Sequence, residues 1–235
     1  MTYGRSADVY DALYAWKDYA AEAARVRDLV EERRPGARTV LDVACGTGMH
    51  LAALRAWYEV EGVDLEPGLL EVARRRLPGV RLHEGDMRNF ELDRQFDAVT
   101  CLFSSIGYMQ SLEDLRLAIN NMGRHLAPSG VLLIEPWLTP DGFTPGQIGG
   151  PLVGEADGLK VVRMNDGRVE GHLSIMEFHY LVGRSEGIEH VSETHTLGLY
   201  SADDYRAALE ASGLRVEYDL DGVMGRGLWI GLKAG

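Results

Sequence analysis

Up to Pro136, short apolar runs alternate with amphipathic stretches. Five runs read as strands: the start of TVLDVACGTGMH, then VEGVDLE, VRLHEGD, FDAVTCLF and GVLLIEPW. In the first, Val40, Leu41 and Val43 are apolar or β-branched, as a parallel strand buried on both faces should be. Helical spacing fills the intervals. Residues 8–33 read as one or two helices, with Ala23, Val26, Leu29 and Val30 on one face. Residues 49–57 give the next helix, and Pro67 opens another through LLEVARRRL. A further one covers Leu112 to Leu126, before a turn at Pro128–Gly130. Strand–helix alternation of this kind predicts an α/β doubly wound sheet.

The pattern changes after Pro136. Residues 137–158 are rich in glycine and proline and show little periodicity. KVVRMNDGRVEGHLSIMEFHYLV and GIEHVSETHTLGLY then alternate apolar and polar positions, with turn signals such as NDG. They predict three or four antiparallel strands. Ser201 caps a helix over 202–212 that Gly213 ends, and LRVEYDLDG and GLWIGLKA close the chain as two strands. The expected organisation is one α/β unit from 1–137 and 200–235, with an antiparallel β insertion at 138–199 that contributes to a substrate site.

The chain has 235 residues, and its 46% hydrophobic content suffices for a proper core. No apolar run approaches the ~18 to 20 residues of a membrane span, so no membrane partner is expected. MTYGRSADVYDALY lacks the charged and apolar regions of a secretory signal. Cys45 and Cys101 sit in apolar, strand-like settings and read as buried thiols, which suits a cytoplasmic location. The net charge of −12 argues against nucleic-acid binding. An anionic substrate would need a local arginine or lysine to hold it.

Candidate chemistry concentrates in TVLDVACGTGMH, Thr39 to His50. A strand that breaks at Gly46 and Gly48 and feeds a helix lets a ligand approach backbone without meeting a Cβ. Asp64 ends the second strand, 22 positions after Asp42, about where nucleotide-binding α/β folds place a carboxylate on ribose hydroxyls. The place of a third fingerprint glycine holds Leu51, and there is no Walker lysine. These features favour a nucleoside without a pyrophosphate, S-adenosylmethionine rather than NAD. Asp86, in the triplet Gly85-Asp86-Met87, could accept from an adenine amino group while Met87 packs on the ring. Tyr3, Tyr10, Tyr14, Trp16 and Tyr19 crowd the N-terminal helices, where rings with polar tips could form a lid over a pocket. No metal-ligand cluster is seen.

DVACGTGMH, GVDLEPGLLEVARRR, HEGDM, FDAVTCLFSSIGY and GVLLIEPW together resemble a class I S-adenosylmethionine-dependent methyltransferase with a Rossmann-like sheet. More narrowly, ADVYD, KDYAAEA, FSSIGY, EPW, MEFHYL and GRGLW resemble the dTDP-amino-deoxysugar N-methyltransferases, nearly end to end. The resemblance implies N-methylation, in the dimethylating enzymes twice, of an amino group on a dTDP-linked sugar in antibiotic sugar biosynthesis. S-adenosylhomocysteine would be the second product. It implies that Ala44, Gly46 and Gly48 line the methionine portion of the cofactor, and that Asp64, with Leu65 beside it, holds the ribose. Asp86 and Met87 would take the adenine, and Tyr10 and Tyr19 would close over the cofactor. Tyr3 and Tyr108 would lie near the amino sugar, with Tyr14 and Trp137 on the substrate side. Arg226 would pair with the diphosphate, which suits a guanidinium's fork. Glu177, His179 and His195 lie on insertion strands that could floor the sugar pocket. The amine's proton could pass to Tyr108, to His179 or into water, with simple loss to water favoured and Tyr108 orienting the nitrogen. A homodimer is expected by the same resemblance. Methylation of another amine or of a hydroxyl shares the cofactor half and remains the alternative, followed by a non-catalytic binding protein.

Overall fold

A computed structural model of the chain describes residues 7–156 and 158–235. Tyr3, expected near the amino sugar, lies outside the described residues. The N-terminal stretch forms two helices, α1 (Ala7–Leu13) and α2 (Tyr19–Arg33). Asp18 starts α2 by accepting a hydrogen bond from the Ala21 N–H at 2.9 Å.

Strands β1 (Thr39–Val43), β2 (Glu59–Asp64), β3 (Arg81–Glu84), β4 (Phe96–Cys101) and β5 (Leu126–Ile134) follow in order. Helices α3 (Met49–Leu54), α4 (Pro67–Arg76) and α5 (Leu112–Arg124) connect them. Helix α6 (Ala202–Ala211) and strands β10 (Arg215–Asp219) and β11 (Leu228–Leu232) complete one seven-stranded sheet of order β10-β11-β5-β4-β1-β2-β3. β1 to β5 are parallel, and β11 is antiparallel to both β5 and β10. Apolar side chains cover both faces of the central strands β1, β4 and β5, whereas β2 and the edge strand β3 carry polar residues such as Glu61 and Arg81. Leu41, Val43, Val99 and Ile134 meet α5 and α6 on one side, and Val40, Ala98, Val131 and Leu133 meet α2 and α3 on the other.

The second sheet is antiparallel and four-stranded: β6 (Gly149–Ala156), β7 (Leu159–Glu170), β8 (Leu173–Arg184) and β9 (Gly187–Gly198), paired in that order. It packs against α1, where Val9, Ala12 and Leu13 meet Leu159, Val161, Tyr180 and Val182. Gly154 permits this approach, since a Cβ there would lie 2.3 Å from the Ala12 carbonyl oxygen.

Two local expectations are corrected. Asn165-Asp166-Gly167 is no turn but the middle of β7, where a Cβ on Gly167 would lie 2.8 Å from Met176 Sδ and from Phe143 Cζ. The glycine is there for packing. The turn at Pro128–Gly130 is instead a bulge inside β5, which pairs with β4 at Phe96–Leu126 and again at Ala98–Val131, with Ser129 at φ +59°. Helix α3 also stops three residues short of its expected end.

Asp97, the second residue of β4, pins the entry to β1. Its carboxylate accepts from the N–H groups of Arg38 at 2.8 Å and Thr39 at 3.1 Å, and it pairs with Arg34. Burial alone would raise its pKa, but these donors outweigh it and hold the carboxyl below its ordinary value. Asp97→Ala leaves two backbone donors and a guanidinium without their acceptor, and lowers stability by about 2–4 kcal/mol at pH 7. Because the folded pKa is depressed, this contribution is present above the unfolded pKa of ~3.9 and fades as pH falls through the folded value. Urea denaturation of both proteins at pH 7 and pH 3 checks the difference and its loss.

Candidate active site

The order of the parallel strands reverses between β1 and β4, and ligands of open α/β sheets bind at the carboxyl ends beside such a point. A cavity of about 960 Å³ opens there and continues between α1 and the inner face of the antiparallel sheet. Ala44, Gly46, Asp64, Leu65, Asp86 and Met87 line its sheet-edge wall.

After β1 the backbone enters the left-handed region at Ala44 (φ +60°) and again at Gly46 (φ +56°). A Cβ on Gly46 would meet no atom within 4 Å, so that glycine faces open space. Asp64 shapes the turn. Its Oδ2 accepts from the Gly46 N–H at 2.7 Å and its Oδ1 from the Glu66 N–H at 2.9 Å. Burial nonetheless pushes the Asp64 carboxyl above its ordinary value. At the third strand, Arg88 donates to Asp86 and, at 2.8 Å, to Asp114. The guanidinium holds the Asp86 carboxyl below the usual range.

Gly48 is not in the lining. A Cβ at this position would lie 2.7 Å from Leu77 Cδ1 and 3.3 Å from Ala73 Cβ, so the glycine serves the seating of α3 on α4. Tyr19 is also absent from the lining, packed instead edge-on to His50 with ring centres 5.0 Å apart.

Tyr10, expected over the cofactor, and Tyr14, expected on the substrate side, both line the cavity. Their rings lie 4.7 Å apart, and Tyr14 meets Phe103 edge-on at 4.9 Å. Burial raises the Tyr10 hydroxyl well above its ordinary pKa, so it enters the cavity as a neutral donor. Asp11 ties this roof to the glycine loop by accepting from Thr47 Oγ at 2.7 Å and from Arg76 at 2.6 Å.

Tyr108, Trp137 and Arg226 all reach the far part of the cavity. Trp137 Nε1 donates to Ser174 Oγ at 3.0 Å, which fixes the indole. Arg226 donates to Ser104 Oγ at 3.2 Å and keeps an exposed guanidinium at the cavity wall. Tyr108 Oη lies 2.7 Å from His195 Nδ1, and His195 Nε2 lies 3.3 Å from Glu193 Oε2.

His179 does not reach the cavity. On β8, Met176, Phe178 and Tyr180 point inward, and strand alternation turns His179 to the opposite face. There it stacks on His190 at 5.4 Å, half exposed. Arg163 and Asn165 on β7, Phe178 and Phe103 line the site without having been singled out. Arg163 donates to Tyr14 Oη at 2.7 Å and lies 4.6 Å over the Phe178 ring. Its signal in the sequence was slight: a basic residue on a predicted strand, in phase with Asn165.

A family model described as a methyltransferase domain matches residues 40–130. The chain is 44% identical, over 97% of its length and 98% of the relative's, to the dTDP-3-amino-3,4,6-trideoxy-alpha-D-glucopyranose N,N-dimethyltransferase of Streptomyces venezuelae. It is 43% identical, over 97% of its length and 92% of the relative's, to the dTDP-4-amino-2,3,4,6-tetradeoxy-D-glucose N,N-dimethyltransferase of Saccharopolyspora spinosa. Among solved structures it is similar to Streptomyces venezuelae DesVI, with a TM-score of 0.92 and 44% identity, covering 97% of this chain and 98% of that one. Similarity to S-adenosylmethionine-bound CalS10, an amino pentose methyltransferase from Micromonospora echinaspora, has a TM-score of 0.87 at 41% identity, covering 96% of this chain and 97% of that one.

The two loop glycines should separate on substitution. Gly46→Ala carries only left-handed strain, about 1–2 kcal/mol. Gly48→Ala adds overpacking against Leu77 and loses roughly 2–5 kcal/mol in all. Chemical denaturation of the two variants checks the order.

Proposed function

The chain belongs to the family of sugar N,N-dimethyltransferases within the class I S-adenosylmethionine-dependent methyltransferases, and from that footing we propose that it dimethylates the amino group of a dTDP-linked amino-deoxysugar in the making of an antibiotic's sugar. The observation that carries this reading is the continuity of the cavity. One space runs from the Gly46–Asp64–Asp86 edge to Tyr108, Trp137 and Arg226.

The residues at the sheet edge fit S-adenosylmethionine. Gly46 leaves open space where a side chain would stand, and Asp64 and Asp86 face the same cavity. When bound, this cofactor supplies a methyl group on a sulfonium that leaves as a neutral thioether and needs no acid. Ala44 and Gly46 hold its methionine portion, Asp64 and Leu65 its ribose, and Asp86 with Met87 its adenine. Tyr10 and Tyr14 exclude water from above.

On the acceptor side, Trp137 walls the sugar and Tyr108 orients its nitrogen. Holding an uncharged amine in line supplies roughly 7–11 kcal/mol of the barrier at best. Arg226 pairs with the diphosphate, a bond that a protein of net charge −12 needs if it is to hold a dianion. In this reading the insertion at 138–199 adds Arg163, Phe178 and His195 to the acceptor side, beside Tyr108, Trp137 and Arg226 from the unit formed by 1–137 with 200–235. The reading also carries a cytoplasmic, reducing location, which suits the free, buried Cys45 and Cys101, and a homodimer, for which sedimentation is the check.

Calorimetric titration with S-adenosylhomocysteine and with dTDP tests the assignment. Wild type binds both. Arg226→Ala loses at least about tenfold in dTDP affinity, the worth of one charge-assisted hydrogen bond, and keeps its affinity for S-adenosylhomocysteine. Cofactor binding without dTDP affinity in the wild type would retain a methyltransferase and remove the sugar.

A further inference from the structure

Two methyl transfers to one nitrogen raise a proton problem that a single transfer does not. The first leaves a secondary ammonium, which has no lone pair for the second. The proton must leave while the sugar stays in place, or the sugar must depart and rebind.

We infer that Tyr108, His195 and Glu193 form a proton relay that empties the cavity of this proton between the two transfers. The inference rests on the function proposed above. Its geometry comes from three elements. Tyr108 ends a short 3₁₀ turn, Ser105–Tyr108, after β4, and its ring faces the cavity. His195 and Glu193 stand two apart on β9 and so share a face. Phe178 on β8 holds the imidazole edge-on, ring centres 4.7 Å apart. His195 is 3% exposed, which leaves bulk water little access to the ring. The Glu193 side chain, at 19%, reaches water.

The tautomer follows from the partners. Tyr108 Oη donates to His195 Nδ1 at 2.7 Å, and His195 Nε2–H points to Glu193 Oε2 at 3.3 Å. In the relay step the ammonium N–H bond breaks and its electron pair stays on nitrogen. The proton goes to Tyr108 Oη as the tyrosine's own proton moves to His195 Nδ1. His195 gives its Nε2 proton to Glu193, and the carboxyl passes it to water. The tyrosine is never left as a free phenolate, so its poor basicity at neutral pH is no obstacle. Tyr10 on α1 and Tyr180 on β8 stand near Tyr108, Tyr180 also near Glu193, and Arg163 on β7 donates to Tyr14.

Tyr108 touches the substrate and is catalytic in this scheme. His195 and Glu193 act through it as positioning residues. The test compares wild type with His195→Gln on a dTDP-amino sugar, following mono- and dimethylated products by mass spectrometry from pH 7 to about 9.5. At pH 7 the variant slows about 100-fold, the low end of general acid–base effects, and monomethyl product accumulates. Both defects shrink toward pH 9.5, where hydroxide and solvent titrate the ammonium directly. A second readout needs no turnover. Calorimetry of substrate with S-adenosylhomocysteine, in two buffers of different ionisation heat, shows proton release on binding in wild type and less in the variant. Glu193→Gln, partly exposed and safer for folding, gives the same pattern in weaker form.

A wild-type product ratio in both variants overturns the relay. So does a loss equal at every pH, which would make His195 a packing residue. A wild-type enzyme that methylates no dTDP-amino sugar removes the functional reading, and the relay with it. The variants' product ratio is therefore read only against an active parent.

Discussion

The close approach of α1 to the antiparallel sheet is the contact that turns two sheets into one cavity. Val9, Ala12 and Leu13 bury their side chains against β7 and β8, and Gly154 lets the two backbones come within reach of each other. The same helix carries Asp11, whose carboxylate bonds Thr47 and Arg76 at the glycine loop. One element thus holds the antiparallel sheet by apolar burial and the glycine loop by charge. Tyr10 and Tyr14 roof the space because α1 is fixed from both sides.

Charge is distributed against the overall balance. The protein is strongly acidic, yet Arg163 and Arg226 face the cavity and Lys17 is buried close behind it. Lys17 Nζ pairs with Glu22 at 3.0 Å and stands 3.9 Å over the Phe103 ring. Burial lowers its pKa, and the bond to Glu22 opposes that loss. Asp64, Glu66, Asp86 and Asp114 line the same cavity, so the cations do not make it basic as a whole and offer only local partners for an anionic group.

The parallel half was legible because the central strands leave apolar runs between helical stretches, and because Gly46, Asp64 and Asp86 fall at strand ends. Other features depended on contacts the sequence does not display. Asn165-Asp166-Gly167 has the composition of a turn, but Gly167 answers to Met176 and Phe143, which are close only in the folded sheet. Gly48 was read as a ligand glycine although its constraint comes from Leu77. His179 was a readable error: MEFHYL alternates, and Met176 and Phe178 already mark the inward parity that excludes it. His195 has the parity of the buried Leu197 on β9, and the register of β9 against Met176 agrees with that direction. Arg163 sits opposite Tyr180 in the same way, visible once β7 and β8 are paired.

The size of α1 has a kinetic meaning. The described part of α1 is short, and a stretch of that length owes its helicity to what it packs against. Its helicity exists only as docked structure, so the roof forms after the core beneath it and is the first part to let go. Local unfolding of this segment costs far less than global unfolding, because it surrenders one small apolar patch and two charge contacts. A docked helix of this kind loosens by melting rather than by swinging on a hinge, and amide exchange in α1 then reports how often it loses its footing.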